Sequence, residues 1–134
     1  MKALFWLGRQ ASECEWRARA VFGLFRSARN ANTPELRGLR LLRSWLSPAQ
    51  LAQLDAKGYF DVIGGQSGKT YRIKLGICAN ILELAEDGAP RVGWCVVPDG
   101  CLVAGDVMLA QKIALETFEC AALAKANKFG APLR

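Results

Sequence analysis

Apolar residues recur along this chain with two different periods, and the change at Gly58 divides it. From Leu4 onward, Leu4, Leu7, Ala11, Cys14, Ala18, Val21, Phe25 and Ala28 stand three or four apart, the spacing of a helical stripe. They predict a first helix of about 25 residues. Phe5, Trp6, Trp16, Phe22 and Leu24 widen that stripe, so the helix needs cover from the rest of the fold, a second copy or a membrane surface. Asn30-Ala-Asn-Thr-Pro34 ends it. Thr33 reads as the cap of a second helix through Trp45, with Pro34 in the first turn and Glu35 matching the dipole. Leu36, Leu39, Leu42 and Leu46 make one face of this helix, and Arg37, Arg40 and Arg43 recur every third residue. Ser47-Pro-Ala-Gln50 is a capping box that opens a third helix, which Lys57-Gly58 stops.

After Gly58 the period falls to two. Tyr59–Ile63, Thr70–Leu75, Asn80–Leu84 and Val92–Val97 read as strands, separated by segments rich in turn formers. Links this short require antiparallel pairing. Pro98-Asp-Gly100 closes the predicted sheet, and Asp106 then reads as the N-cap of a last helix running from Val107 to about Asn127. That helix is apolar nearly all round, which predicts burial on more than one side. The expected fold is therefore α+β: a four-stranded antiparallel meander, a long C-terminal helix packed on it, and two or three N-terminal helices. The expected division is a basic amphipathic helical segment at 1–45 and an α+β domain at 46–134.

Charge sharpens that division. The 134 residues carry a net charge of +6. Residues 1–45 hold nine Lys/Arg against three Asp/Glu, whereas 46–134 hold nine of each. A one-sided basic segment favours an acidic partner. Histidine is absent, which removes histidine-dependent triads and most zinc sites. Five cysteines without a CxxC pair suit a reducing compartment and buried, inert thiols. The start, MKALFWLGRQ, lacks the apolar core and cleavage site of a signal peptide. No uncharged run approaches the roughly 20 residues that span a bilayer, so a soluble cytoplasmic protein is expected.

One stretch invites a specific chemistry. Gly64-Gly-Gln-Ser-Gly-Lys-Thr70 follows an apolar run and looks like a phosphate-cradling loop. Such a loop needs glycine, four residues, then Gly-Lys-Ser/Thr leading into a helix. Here Ile63 occupies the place of the first glycine, and Tyr71-Arg72-Ile73-Lys74-Leu75 alternates like a strand. A hairpin turn is the better reading. Asp61, Tyr71, Arg72 and Asp106 are the polar residues expected near the sheet, without the spacing of a paired-carboxylate site.

From about Leu42 to Phe129, the segments LSPAQLAQLDAKGYFDVIGGQSGKTYRIKLG, GWCVVPDG and GDVMLAQKIALETFECAALAKAN, with Asn80 between the first two, resemble a group of small bacterial proteins. That group is met on chromosomes, plasmids and prophage-like regions. The resemblance implies no catalytic residue, because no activity is established for the group. Taken together, the sequence points to a non-enzymatic interaction or assembly module, without cofactor, metal or small-molecule substrate. Leu4, Leu7, Val21 and Phe25 are the expected contacts for a protein partner or a second copy. The alternative is an accessory protein contacting nucleic-acid phosphates through Arg17, Arg26, Arg29, Arg37, Arg40 and Arg43, with attachment to a membrane surface third.

Overall fold

The structure is a computed structural model that describes residues 32–130. The predicted first helix lies outside them. In chain order the elements are α1 (Pro34–Trp45), α2 (Pro48–Lys57), β1 (Tyr59–Ile63), β2 (Thr70–Lys74), β3 (Ile81–Leu84), β4 (Pro90–Cys95), α3 (Ala104–Thr117), α4 (Glu119–Lys125) and β5 (Asn127–Gly130). The α+β class stands. The five strands form one antiparallel sheet in sequence order, β1-β2-β3-β4-β5.

Both early caps form as their residue types dictate. Thr33 Oγ1 accepts from the Leu36 N–H at 3.3 Å, and Ser47 and Gln50 exchange side-chain and backbone hydrogen bonds in a capping box. The core lies on one face of the sheet, where Phe60, Val62, Tyr71, Ile73 and Ile81 meet Leu39 and Leu42 of α1, Leu54 of α2, and Met108, Leu109 and Leu115 of α3. Helices α1 and α3 pack backbone to backbone. A Cβ placed on Gly105 would lie 2.2 Å from the Gly38 carbonyl carbon, so any side chain there would wedge the pair apart.

Helix α2 covers the β1 edge. At Asp61 the backbone N–H donates to Gln53 Oε1 at 2.9 Å and the carbonyl accepts from Gln50 Nε2 at 2.9 Å. These are the two groups that a further strand would take, and two glutamines of one helix occupy them.

Two expectations need correction. The C-terminal helix is not one long rod: it starts at Ala104, three residues before the expected Val107, and breaks at Phe118, whose φ of −133° and ψ of 40° leave the helical region. Asp106 sits inside the first turn and makes no cap, because Val103 takes the N-cap position. The meander also has a fifth strand. Asn127–Gly130 leaves the helical path and pairs with β4, setting Phe129 opposite Gly93. The Phe129 ring occupies the space over Gly93, where a Cβ would lie 2.0 Å from it. A tertiary contact thus overrides a segment with little strand character of its own.

Candidate functional site

The hairpin loop Gly64–Lys69 and the first residue of α4 make the most densely bonded cluster of the structure. The loop closes on itself, with the Gly64 N–H donating to Lys69 O at 2.8 Å and the Gly68 N–H to Gly64 O at 3.0 Å. A strand, not a helix, follows Lys69. The loop's successive N–H groups nevertheless converge on an anion, as such turns do. That anion is the protein's own Glu119.

Glu119 is 2% exposed. Its Oε2 accepts from the Gln66 N–H at 2.9 Å and the Ser67 N–H at 2.8 Å. Its Oε1 accepts from the Tyr71 hydroxyl at 2.6 Å and from the Ser67 hydroxyl. Burial alone would raise the pKa of this carboxyl, but the donors, Ser67 and Tyr71 foremost, outweigh it and hold the pKa at about 2. Tyr71 responds in the opposite sense: burial and then its bond to Glu119 push its pKa well above the ordinary phenol range. At neutral pH the pair is therefore a carboxylate and a neutral phenol, a stable donor and acceptor with no proton poised to move.

Other polar groups of the loop are engaged as well. Gln66 Oε1 accepts from the Cys120 N–H at 2.7 Å, capping the start of α4, and Ser67 Oγ accepts from the Lys69 N–H at 3.1 Å. Lys69 Nζ, which in a phosphate loop would reach a nucleotide, lies 2.9 Å from Glu83 Oε1. Glu83 is itself buried and also accepts from Trp94 Nε1 at 3.2 Å. Burial opposes ionisation of Glu83, and Lys69 and Trp94 overcome it, so its pKa is lowered. The two leading glycines make the fit possible. A Cβ on Gly64 would lie 2.5 Å from the Glu119 carboxylate and one on Gly65 1.9 Å from Glu116 O, while the Gly65 N–H donates to Leu115 O at 3.0 Å. The loop is thus an internal clamp between β1, β2 and the α3–α4 break.

Asp61 and Arg72, expected near the sheet, meet on its other face. Arg72 Nε and Nη2 donate to the two Asp61 oxygens at 2.9 and 3.1 Å, Gln53 Nε2 adds a third bond at 3.2 Å, and the guanidinium stacks 3.9 Å from the Tyr59 ring centre. Asp61 foremost keeps the Arg72 pKa raised. A second buried cluster joins Asn80, just before β3, to α3. The Asn80 and Gln111 side-chain amides exchange two bonds, of 2.9 and 2.8 Å. Their spare N–H groups go to the carbonyls of Lys74, at 3.0 Å, and Val96, at 2.8 Å.

Of the residues expected to meet an acidic partner, Arg17, Arg26 and Arg29 lie outside the described residues, as do Leu4, Leu7, Val21 and Phe25. Arg37 and Arg40 are exposed on α1. Arg43 turns the other way and forms a two-armed ion pair with Asp55 of α2, which lowers the Asp55 pKa. The expectation of buried thiols fails: Cys95 is half-buried and Cys101 and Cys120 are exposed, all three as free thiols. Cys78 is disulfide-bonded, which the expectation of a reducing compartment did not foresee. No helix among the described residues is long and apolar enough to cross a membrane. Neither a known protein family nor any curated protein or solved structure matches the chain.

Proposed function

We propose that this protein is a non-enzymatic interaction or assembly module. The observation that carries this reading is a contrast between inside and surface. The buried ionisable groups are committed to internal bonds, and no buried side-chain nitrogen or oxygen among the described residues lacks a partner. Large apolar side chains, by contrast, stand open to solvent: Phe118 at 66%, Trp45 at 59%, Ile63 at 57% and Leu41 at 47% exposure. Scattered single residues of this kind are ordinary. Here two of them, Leu41 and Trp45, share one side of a helix, and Phe118 sits on the helix break held by the loop.

Light scattering of the full chain over a wide concentration range tests the self-association form of this reading. Sedimentation with candidate partners tests the hetero-association form, comparing the wild type with Trp45→Ser and Phe118→Ser. Association lost in either variant supports the module. A strict monomer, with partner retention identical in wild type and variants, would count against it.

The alternative, nucleic-acid binding, draws on Arg17, Arg26, Arg29, Arg37, Arg40 and Arg43, of which Arg37 and Arg40 are exposed among the described residues. It requires affinity that falls steeply with salt, since each phosphate contact releases counterions. Retention on DNA or RNA that is indifferent to salt removes it.

A further inference from the structure

Helix α1 presents a two-sided strip to solvent. With 3.6 residues per turn, Arg37, Leu41 and Trp45 climb one side at intervals of four, with Arg40 and Ser44 beside them, and all five are exposed. The opposite side, Leu36, Leu39 and Leu42, is buried. Across the strip, at about 100° per residue, Arg40 stands at one margin, Arg37 and Ser44 in the middle, and Leu41 and Trp45 toward the other margin. The apolar margin continues downward to Gly38, where the Val103 side chain packs, since a Cβ on Gly38 would lie 2.6 Å from Val103 Cγ2. Among the described residues no ion pair engages Arg37 or Arg40.

We infer that this strip docks an acidic amphipathic helix of a partner protein, a conclusion that rests on the interaction-module reading above. The charge is complementary: two arginines without acidic partners face outward on a helix whose third arginine, Arg43, is committed to Asp55. The composition is that of an interface centre, in which tryptophan and arginine supply most of the binding energy. Nucleic acid fits the strip less well. Leu41 offers nothing to a phosphate, and the two arginines of the strip, counted among the described residues, fall short of the roughly 6–10 phosphate contacts behind strong salt-dependent binding. At 12 residues α1 is about 18 Å long, so the contact belongs to the small, transient class.

The test is a displayed library of amphipathic helices whose polar positions vary among Glu, Lys and Gln, selected against the full chain. Backbone amide shifts then locate the bound peptide. Enrichment of Glu beside an apolar stripe, with shifts confined to α1, is the expected result. Both Arg37→Gln/Arg40→Gln and Leu41→Ser/Trp45→Ser should then weaken the selected peptide by roughly tenfold or more, with melting curves showing that both variants remain folded. Selected helices without Glu enrichment, no enrichment at all, or affinity unchanged in both variants overturns the docking proposal. So does a poly-dT oligonucleotide or a phosphatidylserine vesicle that binds through these same residues while the acidic peptides do not. Peptides that map instead to Phe118 or Ile63 sink this proposal and leave the module reading standing. Absence of any association in the light-scattering and sedimentation experiments sinks both.

Discussion

Tyr71 and Arg72 are neighbours on β2 and point to opposite faces of the sheet, and each ends on a carboxylate. On the core face Tyr71 meets Glu119, which is fully buried and held entirely by neutral donors: two backbone N–H groups and two hydroxyls. On the outer face Arg72 meets Asp61, which is about one-fifth exposed at its side chain and held by a cation. The difference follows from desolvation. Burying an ion pair strips water from two charges, whereas burying one carboxylate among fixed dipoles strips it from one. The interior can therefore hold a charge without a counter-ion, provided that the donors are already in place. The partly exposed site has no such need and uses an arginine that water also solvates.

The comparison predicts unequal consequences. Glu119→Ala leaves two N–H groups and two hydroxyls facing each other without an acceptor, and should cost about 3–5 kcal/mol of stability. Denaturant unfolding measures this, and a loss below about 1 kcal/mol would show that the clamp is incidental. The pH dependence is the next effect. The folded pKa of Glu119 is depressed from 4.5 to about 2, so its stabilising contribution is complete above 4.5 and is lost as the pH falls toward 2. Between pH 7 and pH 3 the wild type should lose about 2 kcal/mol through this group, and Glu119→Gln should show a correspondingly flatter profile.

Smaller effects belong to the sites with fewer stranded groups. Gln111→Leu strands the buried Asn80 amide and removes the link to Val96, at an expected cost of about 1–3 kcal/mol in the unfolding midpoint. Asp61→Asn on the outer face should cost only about 0.5–1 kcal/mol, because Arg72 keeps its stack on Tyr59 and its access to water. If Asp61→Asn proves as damaging as Glu119→Ala, the contrast between the two carboxylates is wrong.

Much of this was legible in the sequence where residues act on near neighbours. The caps at Thr33 and Ser47, the stop at Gly58 and the first four strands depend on contacts no more than 15 residues apart, which local patterns report. What escaped depends on distant partners. Glu119 is joined to Ser67 across 52 residues, and nothing in ETFECAALAK distinguishes a buried acid from one on a solvated helix face. The same blindness hid the break at Phe118, since no glycine or proline marks it. It also hid β5, whose place is set by the room over Gly93. The loop itself was correctly seen as a hairpin turn leading into a strand, but its anion-holding geometry could be recognised only once the anion was found within the chain.

The two glutamines that plug the β1 margin carry a consequence of another kind. Because Gln50 and Gln53 satisfy the Asp61 peptide through side chains, α2 could stay in place while losing that cover. Replacing both by leucine would unmask a bare peptide unit beside an apolar hairpin, a template for strand addition by other molecules. The damage should appear as concentration-dependent precipitation and fibril growth, with little change in how a dilute solution melts.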